Sequence, residues 1–513
     1  MIDYHSRFLA LVDEIETTFP VAEWLLGDVP VWPLARAELY LALYSQSTGT
    51  GRQSPQHGIW PRIAQATSFA ATPLLNLWRS RFDLRHVVML PRRADALFLG
   101  DGVSLDKIDG GWQDRFCDPL ISAMESNGHT TLLMQQGDLR RLPWSRPTFA
   151  ANKIDRWSRL RAAATGEAFR TIGGLPQHDR LLKWLDERRV PTRQLSETAL
   201  RKRAAVVSST ADGFERVLRS VRPSLCFIVA YYAGVGHALA LACRRQGVLS
   251  VDVQHDPHEG RHEAYRWLAV PPGGYAVLPA VFWNWTQEDA DAIDAWTKNL
   301  TLPWHRSLHG GHPQLPAWFD DDNAQTRGFD AKIAEIQKPG FAELEILVAL
   351  QSLEGYSAIW NELAALIEAA PSHWRWWLRR HPASRATQDP GLNRLLAIRK
   401  PNVLIDEASS LPLPALLRHM DAVLSLKSGA GVEASMFGVK PIFLSQEAGG
   451  LFPLLLKDGK AEIIDDMAAL ERRLTTIPRK EKARLQQPAL QETLKRLEAM
   501  AADYAALCSR ART

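Results

Sequence analysis

Two kinds of apolar pattern alternate along this chain. Short apolar runs at 95–100 (DALFLG), 129–135 (HTTLLMQ), 225–232 (LCFIVAYY), 248–255 (VLSVDVQH), 274–278 (GYAVL) and 281–285 (VFWNW) predict strands. Between them, 117–128 (CDPLISAMESNG) has helical spacing closed by Asn127-Gly128, and 150–220 reads as basic helices. A polar, Pro-containing link at about 310–342 precedes a second series. Its predicted strands are 345–351 (EILVALQ), 373–382 (HWRWWLRRHP), 402–407 (NVLIDE), 422–426 (AVLSL) and 441–445 (PIFLS). Its predicted helices are 357–370 (SAIWNELAALIEAA), 413–420 (LPALLRHM) and 432–438 (VEASMFG). From Arg479 the pattern is one long charged helix, and residues 1–85 read as mostly helical.

Strand–helix–strand order predicts parallel sheets, in two α/β units of about 200 residues each. Ligands of such sheets bind beyond the carboxyl ends of the strands. Two such domains facing one another would place a cleft between those ends. Alternation puts Trp374 and Trp376 on one face of their strand and Trp377 on the other. The run from Leu225 to Cys243 has the length of a membrane span. Its AGVG break and terminal Gly247 divide it instead into a buried strand, a turn and a helix.

Composition narrows the class. With 46% hydrophobic and 23% charged residues, the 513-residue chain is neither disordered, collagenous nor a coiled coil. Lys and Arg total 61 against 57 Asp and Glu, too balanced for nucleic acid to be the expected partner. Cys117, Cys226, Cys243 and Cys508 lie far apart without a CxxC, so neither a zinc site nor a disulfide framework is expected, and a reducing compartment is. The start, MIDYHSRFLALVDEIE, reads as an amphipathic helix with acids in its apolar pattern rather than as a signal peptide. The 18 Trp exceed the 9 Tyr twofold; most are expected in the core, with Trp112 the candidate for stacking on a sugar.

Four stretches hold candidate chemistry. In 425–438 (SLKSGAGVEASMFG) a strand runs into Lys427, Ser428 and Gly429, and a helix follows with Glu433 in its first turn. Small residues there let a phosphate approach backbone N–H groups, and the same residues also make a tight strand–helix turn. In 379–385 (RRHPASR), Arg379, Arg380, His381 and Arg385 gather charge at a strand exit suited to phosphate oxygens. In 251–267 (VDVQHDPHEGRHEAYRW), His255, Asp256 and Glu259 are the densest supply of bases or nucleophiles, with His258 and His262 nearby outside any HExxH pattern. In 99–119, Asp101 is a further base, with Gly102, Ser104 and Asp118 beside it, in a segment that Asp-Gly turn chemistry also explains. Walker A, GxSxG and kinase patterns are absent from the sequence.

Together these segments resemble glycosyltransferases of the GT-B architecture, especially bacterial enzymes of capsule and lipopolysaccharide biosynthesis. The stretch 253–285 (VQHDPHEGRHEAYRWLAVPPGGYAVLPAVFWNW), RRHP at 379–382 and SLKSGAGVEASMFGVKPIF at 425–443 carry the likeness, over roughly residues 95–460. RRHP resembles the His-Pro motif of Kdo and sialyl transferases. The resemblance implies two Rossmann-like domains with parallel sheets facing across a cleft, plus a helical N-terminal extension. The boundaries expected are 1–85 (extension), 86–320 (acceptor domain), 321–480 (nucleotide-sugar donor domain) and 481–513 (C-terminal helix). It implies that His381 and Ser428 hold the donor phosphate and nucleotide, joined by Arg379, Arg380, Lys427 and Gly429, and that Glu433 contacts the ribose. Gly102, Ser104 and Trp112 would bind the acceptor; Asp256 would be the base or nucleophile, with His255, Asp101 and Glu259 as competitors. Asp256 stands where such enzymes carry Gly after Gln-His. The donor implied is a nucleotide sugar, with a tilt to CMP-linked Kdo or sialic-type sugars. The acceptor would be a surface glycan or lipid-linked glycan, and neither metal nor cofactor is expected. The expected location is cytoplasmic, with peripheral contact at the inner membrane through the basic helices and exposed Trp. A non-catalytic glycan-binding or assembly protein of the same fold, and a nucleotide-sugar epimerase or a glycerophosphate-type transferase, are the alternatives.

Overall fold

A computed structural model describes residues 4–47, 90–108, 110–137, 144–165, 173–259, 261–338, 342–351, 355–381, 389–479 and 484–511. The described residues form two compact units. One is drawn from Met1–His255, Gly260–Pro313 and Gln487–Thr513, the other from Asp256–Glu259 and Gln314–Gln486.

The first unit is built on a seven-stranded sheet. Its strands are β1 (Ala96–Gly100), β2 (Thr131–Gln135), β3 (Thr148–Ala150), β4 (Leu225–Val229), β5 (Leu249–Val253), β6 (Val281–Asn284) and β7 (Arg306–His309). Every pairing is parallel and the spatial order is β7-β6-β5-β4-β1-β2-β3. β1 and β4 are buried along their whole length, which is why they read as unbroken apolar runs, and β5 is equally buried although it carries Ser250 and Asp252. Phe98 and Phe227, opposite one another on β1 and β4, stack with ring centroids 4.5 Å apart. The N-terminal helices Tyr4–Thr18 and Trp32–Ser47 join the same core through Phe8, Ile15 and Trp32. Glu16 pins them: it accepts from the Trp32 indole, from Arg36 and from the backbone N–H groups of Leu268 and Ala269.

The second unit carries a six-stranded parallel sheet: β8 (Leu344–Ala349), β9 (Trp374–Arg379), β10 (Val403–Leu404), β11 (Ala422–Ser425), β12 (Pro441–Phe443) and β13 (Glu462–Ile463). Its order is β10-β9-β8-β11-β12-β13. Trp374 and Trp376 enter the core with Trp360, while the Trp377 indole donates 2.7 Å to Glu345 Oε2, as alternation along β9 requires.

Counted within each sheet, both units contain the order 3-2-1-4-5-6, that of a doubly wound dinucleotide-binding sheet. These are the two Rossmann-like halves that the resemblance implies. Strand order reverses between β1 and β4 in one sheet and between β8 and β11 in the other. The crevice at such a reversal is where open α/β sheets take their ligands.

The structure corrects several sequence expectations. The segment 274–278 is not a strand: Gly274 turns at φ 67°, Tyr275 is buried with its hydroxyl on Ala269 O, and the Tyr275 N–H donates to His305 Nε2. That imidazole in turn bonds Pro279 O, so the segment is tied by side chains and joins neither sheet. The terminal helix runs over Leu490–Arg510 and not from Arg479, because Gln487 clasps both the N–H and C=O of His312 ahead of Pro488. It packs in the first unit, where Tyr504 meets Trp304. The apolar run from Leu225 divides into β4 and the helix Gly234–Gln246. Among the described residues no helix is long and apolar enough to cross a membrane. Residues 48–89, which hold about half of the expected helical extension, lie outside the described residues.

Candidate functional site

In the first unit β1 ends at Gly100 and Asp101 follows at the strand reversal. Asp101 is buried and builds the turn through Gly102, which has φ 66°. It accepts from the N–H groups of Val103 (2.7 Å) and Ser104 (2.8 Å) and from the Ser104 hydroxyl (2.9 Å). Asp101, Gly102 and Ser104 are therefore brought together, through the Asp-Gly turn chemistry that the sequence also allowed.

Behind this turn lies a carboxylate that sequence reasoning passed over. Asp114 closes the hairpin Leu105–Ile108/Gly111–Asp114 and is fully buried. It accepts from Phe116 N (3.0 Å) and Cys117 N (2.8 Å), so it holds the start of helix Cys117–Glu125, and from Gln135 Nε2 (2.6 Å) at the end of β2. Burial, then the neighbouring Asp101 charge, pushes its carboxyl up to about 7. Asp118 accepts the Asp114 N–H at 2.6 Å and is paired with Arg146. A Cβ on Gly100 would overlap both Gln135 Nε2 and Asp114 Oδ2. Only glycine lets these groups converge at the strand end. Asp114 stood in the stretch that supplied Asp101; no local pattern distinguishes a solvated hairpin Asp from a buried one.

Along the same rim, imidazoles and aromatics gather beyond β4–β7. His255 leaves β5 and shares a 2.9 Å hydrogen bond with the Tyr232 hydroxyl. Its ring faces Phe116 edge-on at 6.4 Å. Phe116 also stacks on Trp285 (6.1 Å), and Trp285 lies 4.3 Å from His312. His312 is fully buried; burial, then the Arg115 charge, holds its imidazole well below the ordinary range. Gln254 fixes this rim by accepting from Trp285 N (2.6 Å) and donating to Asp289 (2.8 Å). Tyr232, Trp285 and His312 were also passed over, because residues from separate strand exits share no local spacing. Trp112, half-buried on the hairpin, has its backbone carbonyl bonded by Ser145.

The dense cluster read at 251–267 is dispersed. His255 and His262 flank Tyr232, whereas Asp256 and Glu259 belong to the second unit. There Glu259, at φ 40°, accepts from Leu454 N (2.7 Å) and Leu455 N (3.4 Å) and caps a short helix. Asp256 lies over Gly429: a Cβ on that glycine would stand 2.5 Å from Asp256 Oδ1 and 2.9 Å from Pro257. Among the described residues no group of His, Cys, Asp or Glu is arranged to hold a metal ion.

The second unit's strand reversal is bridged directly. Lys427, leaving β11, donates its backbone N–H 2.9 Å to Gln351 Oε1 at the exit of β8. Its ammonium pairs with Glu447 and lies 5.8 Å from the centre of the Tyr356 ring. Burial opposes ionisation of Glu447, yet the Lys427 hydrogen bond and charge hold its carboxyl below the usual range. Ser428 Oγ accepts the Ala430 N–H at 3.3 Å, starting helix Ala430–Met436, and Glu433 is buried in its first turn. Gln351, Tyr356 and Glu447 were not foreseen, since they come from other strand exits.

The three residues of RRH part company. Arg379 is buried and donates to Ala408 O (2.7 Å) and Leu411 O, stapling backbone. Arg380 is half-exposed and pairs with Asp406 at 2.9 Å. His381 is the half-buried exit residue, and Arg385 lies outside the described residues.

No protein-family model matches the chain, and no curated protein matches it. Among solved structures it is similar to the UDP-GlcNAc 2-epimerase from Methanocaldococcus jannaschii, at 11% identity over 79% of this chain and 99% of that one, with a TM-score of 0.46. It is similar to the UDP-GlcNAc 2-epimerase from Neisseria meningitidis bound to UDP-GlcNAc, at 12% identity, 80% and 99% coverage and a TM-score of 0.45. It is also similar to the glycosyltransferase SnogD from Streptomyces nogalater, at 17% identity, 82% and 98% coverage and a TM-score of 0.37.

Proposed function

We propose that the chain is a nucleotide-sugar enzyme, and specifically a metal-independent glycosyltransferase acting on a glycan acceptor. What supports this reading is the chemistry at the two strand reversals: a lysine-bearing, small-residue loop at one, and at the other Asp101 beside Asp114, whose buried carboxyl is raised to about 7. At the first, the Lys427 ammonium would pass from Glu447 to a donor phosphate, beside Ser428 and Gly429. Arg380 and His381 stand at the exit of β9 in the same unit, and the resemblance of RRHP to the His-Pro motif is the ground for testing a CMP-linked acid sugar first. At the second, the acceptor oxygen gives its proton to the Asp101–Asp114 pair and attacks the anomeric carbon. The bond from that carbon to the phosphate oxygen breaks, and the nucleotide leaves with the electron pair. Asp256 is the competing base; its place over Gly429 sets it beside the phosphate loop, where two negative charges would oppose each other.

Thermal stabilisation by CMP, UDP and GDP tests the donor half, because a ligand that binds only the folded state raises its melting temperature. Failure of all three would leave the non-catalytic alternative. Turnover with a lipid-linked or synthetic acceptor tests the other half. Asp101→Asn should abolish turnover while nucleotide affinity persists; loss in Asp256→Asn alone would return the base to Asp256. An epimerised nucleotide sugar formed without acceptor would overturn the transferase reading.

A further inference from the structure

At the exit of β4 the chain turns sharply into helix Gly234–Gln246. A Cβ on Gly236 would stand 2.4 Å from Tyr231 O, so only glycine lets the first turn of the helix close onto the strand exit. The N-cap, Ala233, makes no side-chain cap, and the first turn carries no acid. The N–H groups of Gly234, Val235 and Gly236 have no acceptor among the described residues and stand at the positive end of the helix dipole. There is room in front of them: a Cβ on Gly234 would meet nothing within 4 Å.

A second observation is independent of the helix end. The His237 side chain is buried, 3% exposed, and takes no hydrogen bond from any described residue. Its Cα–Cβ bond tilts toward the helix N-terminus, and its ring stands 5.9 Å edge-on from that of Tyr231 in the turn. The imidazole thus lies at the same turn as the three N–H groups. Burial holds it down to about 3, so it is neutral and has one N–H to donate. A buried polar group of this kind is costly until a ligand or water supplies its partner. Asp252, which accepts the Tyr231 N–H, is pushed up to about 7 by burial, which removes much of its negative charge near neutrality. Leu99 of β1 is level with Ile228 of β4, so this turn and the Asp101 turn leave adjacent strands on the same rim.

We propose that the turn after β4 binds a phosphate group carried by the acceptor, held by the N–H groups of Gly234, Val235 and Gly236 and by the His237 imidazole. Converging donors at a helix end, with no acid in its first turn, suit a phosphate oxyanion. The adjacent strand exit then presents Asp101 to the hydroxyl of the same molecule. Assignment of the phosphate to the acceptor rests on the transferase reading; the anion site does not.

The test is titration calorimetry of the full chain with a hexose 1-phosphate, with inorganic phosphate and with the unphosphorylated hexose. It is run on the wild type and on Lys427→Ala, which removes the phosphate-binding charge of the second unit's loop. In Lys427→Ala the hexose phosphate should still bind, at least about tenfold tighter than phosphate or hexose alone. Gly234→Asp sets a carboxylate at the helix end, where it favours the helix and repels phosphate. It should abolish binding in that background while the melting temperature holds or rises. His237→Phe keeps the ring and removes its N–H, and should weaken binding about tenfold. Unchanged binding in Gly234→Asp overturns the proposal, as does binding already lost in Lys427→Ala, which gives the phosphate to the second unit. Inorganic phosphate binding as tightly as the hexose phosphate overturns the assignment to the acceptor. Binding lost in Gly234→Asp, together with no turnover from any donor, keeps this site and removes the transferase reading.

Discussion

The Gln135 amide donates 2.6 Å to Asp114 Oδ2, joining the end of β2 to a hairpin that closes twenty-one residues earlier. This bond passes directly over Gly100, where β1 ends. One glycine without a side chain therefore holds three segments in register at the rim of the first sheet.

Gly100→Ala should accordingly be severe. The new methyl must displace Gln135 and Asp114, both buried, and overpacking of this kind costs about 1–3 kcal/mol. Chemical denaturation should show that loss, and any turnover should fall further than stability. A variant as stable as the wild type would mean that the rim is slack and the carboxylate pair loosely held.

Stability should fall as pH rises from about 4 to about 7. Asp252, buried on β5, accepts from the Tyr265 hydroxyl (2.8 Å) and Tyr231 N–H (3.2 Å), yet burial outweighs both and pushes its carboxyl up to about 7. An unfolded carboxyl titrates near about 3.9. The folded state thus keeps a proton that the unfolded state has lost, so its contribution is fullest below about 4, declines to about 7 and is level beyond. Asp252→Asn should reduce this slope in denaturation curves taken between about pH 4 and pH 8, leaving the part due to Asp114. An unchanged slope would assign it elsewhere.

The adjacent arginines of β9 and its exit should behave oppositely. Arg379→Met strands two buried carbonyls, Ala408 O and Leu411 O, and should cost about 2–4 kcal/mol in unfolding free energy. Arg380→Ala removes an exposed pair with Asp406 and should change stability by about 1 kcal/mol or less. If Arg380 contributes to the donor site, only its variant lowers nucleotide affinity without loss of fold.

Lys427→Ala should weaken nucleotide binding at least about tenfold by titration calorimetry. Glu447→Gln frees the ammonium and should leave binding equal or tighter. Equal affinity in Lys427→Ala and the wild type would remove the phosphate role from this loop.

The runs DALFLG, LCFIVAYY and EILVALQ were legible as strands because a parallel strand buried on both faces is mostly apolar, a buried polar residue such as Glu345 needing partners of its own. The Trp pair of β9 was legible for the same geometric reason, since alternation alone assigns the faces. GYAVL misled because burial and strand pairing write similar runs: Tyr275 and Val277 are buried, but in a turn held by His305. Of the candidate site, the turn residues Asp101 and Ser104 and the loop Lys427–Gly429 could be named from local spacing. Asp114, His312, Gln351 and Glu447 could not, because each reaches its partners from a different strand exit.

By itself, then, the order of residues determined the α/β class, two successive sheets and the loops at their carboxyl ends, all set by periodicities that act within a few residues. Tertiary structure alone decided which carboxylate is buried beside Asp101, which arginine of the RRH run turns inward, and that Asp256 and Glu259 join the second unit while His255 stays with the first. Those outcomes depend on which distant strand exits converge on one rim, and on the cost of taking a charge out of water there, neither of which local spacing encodes.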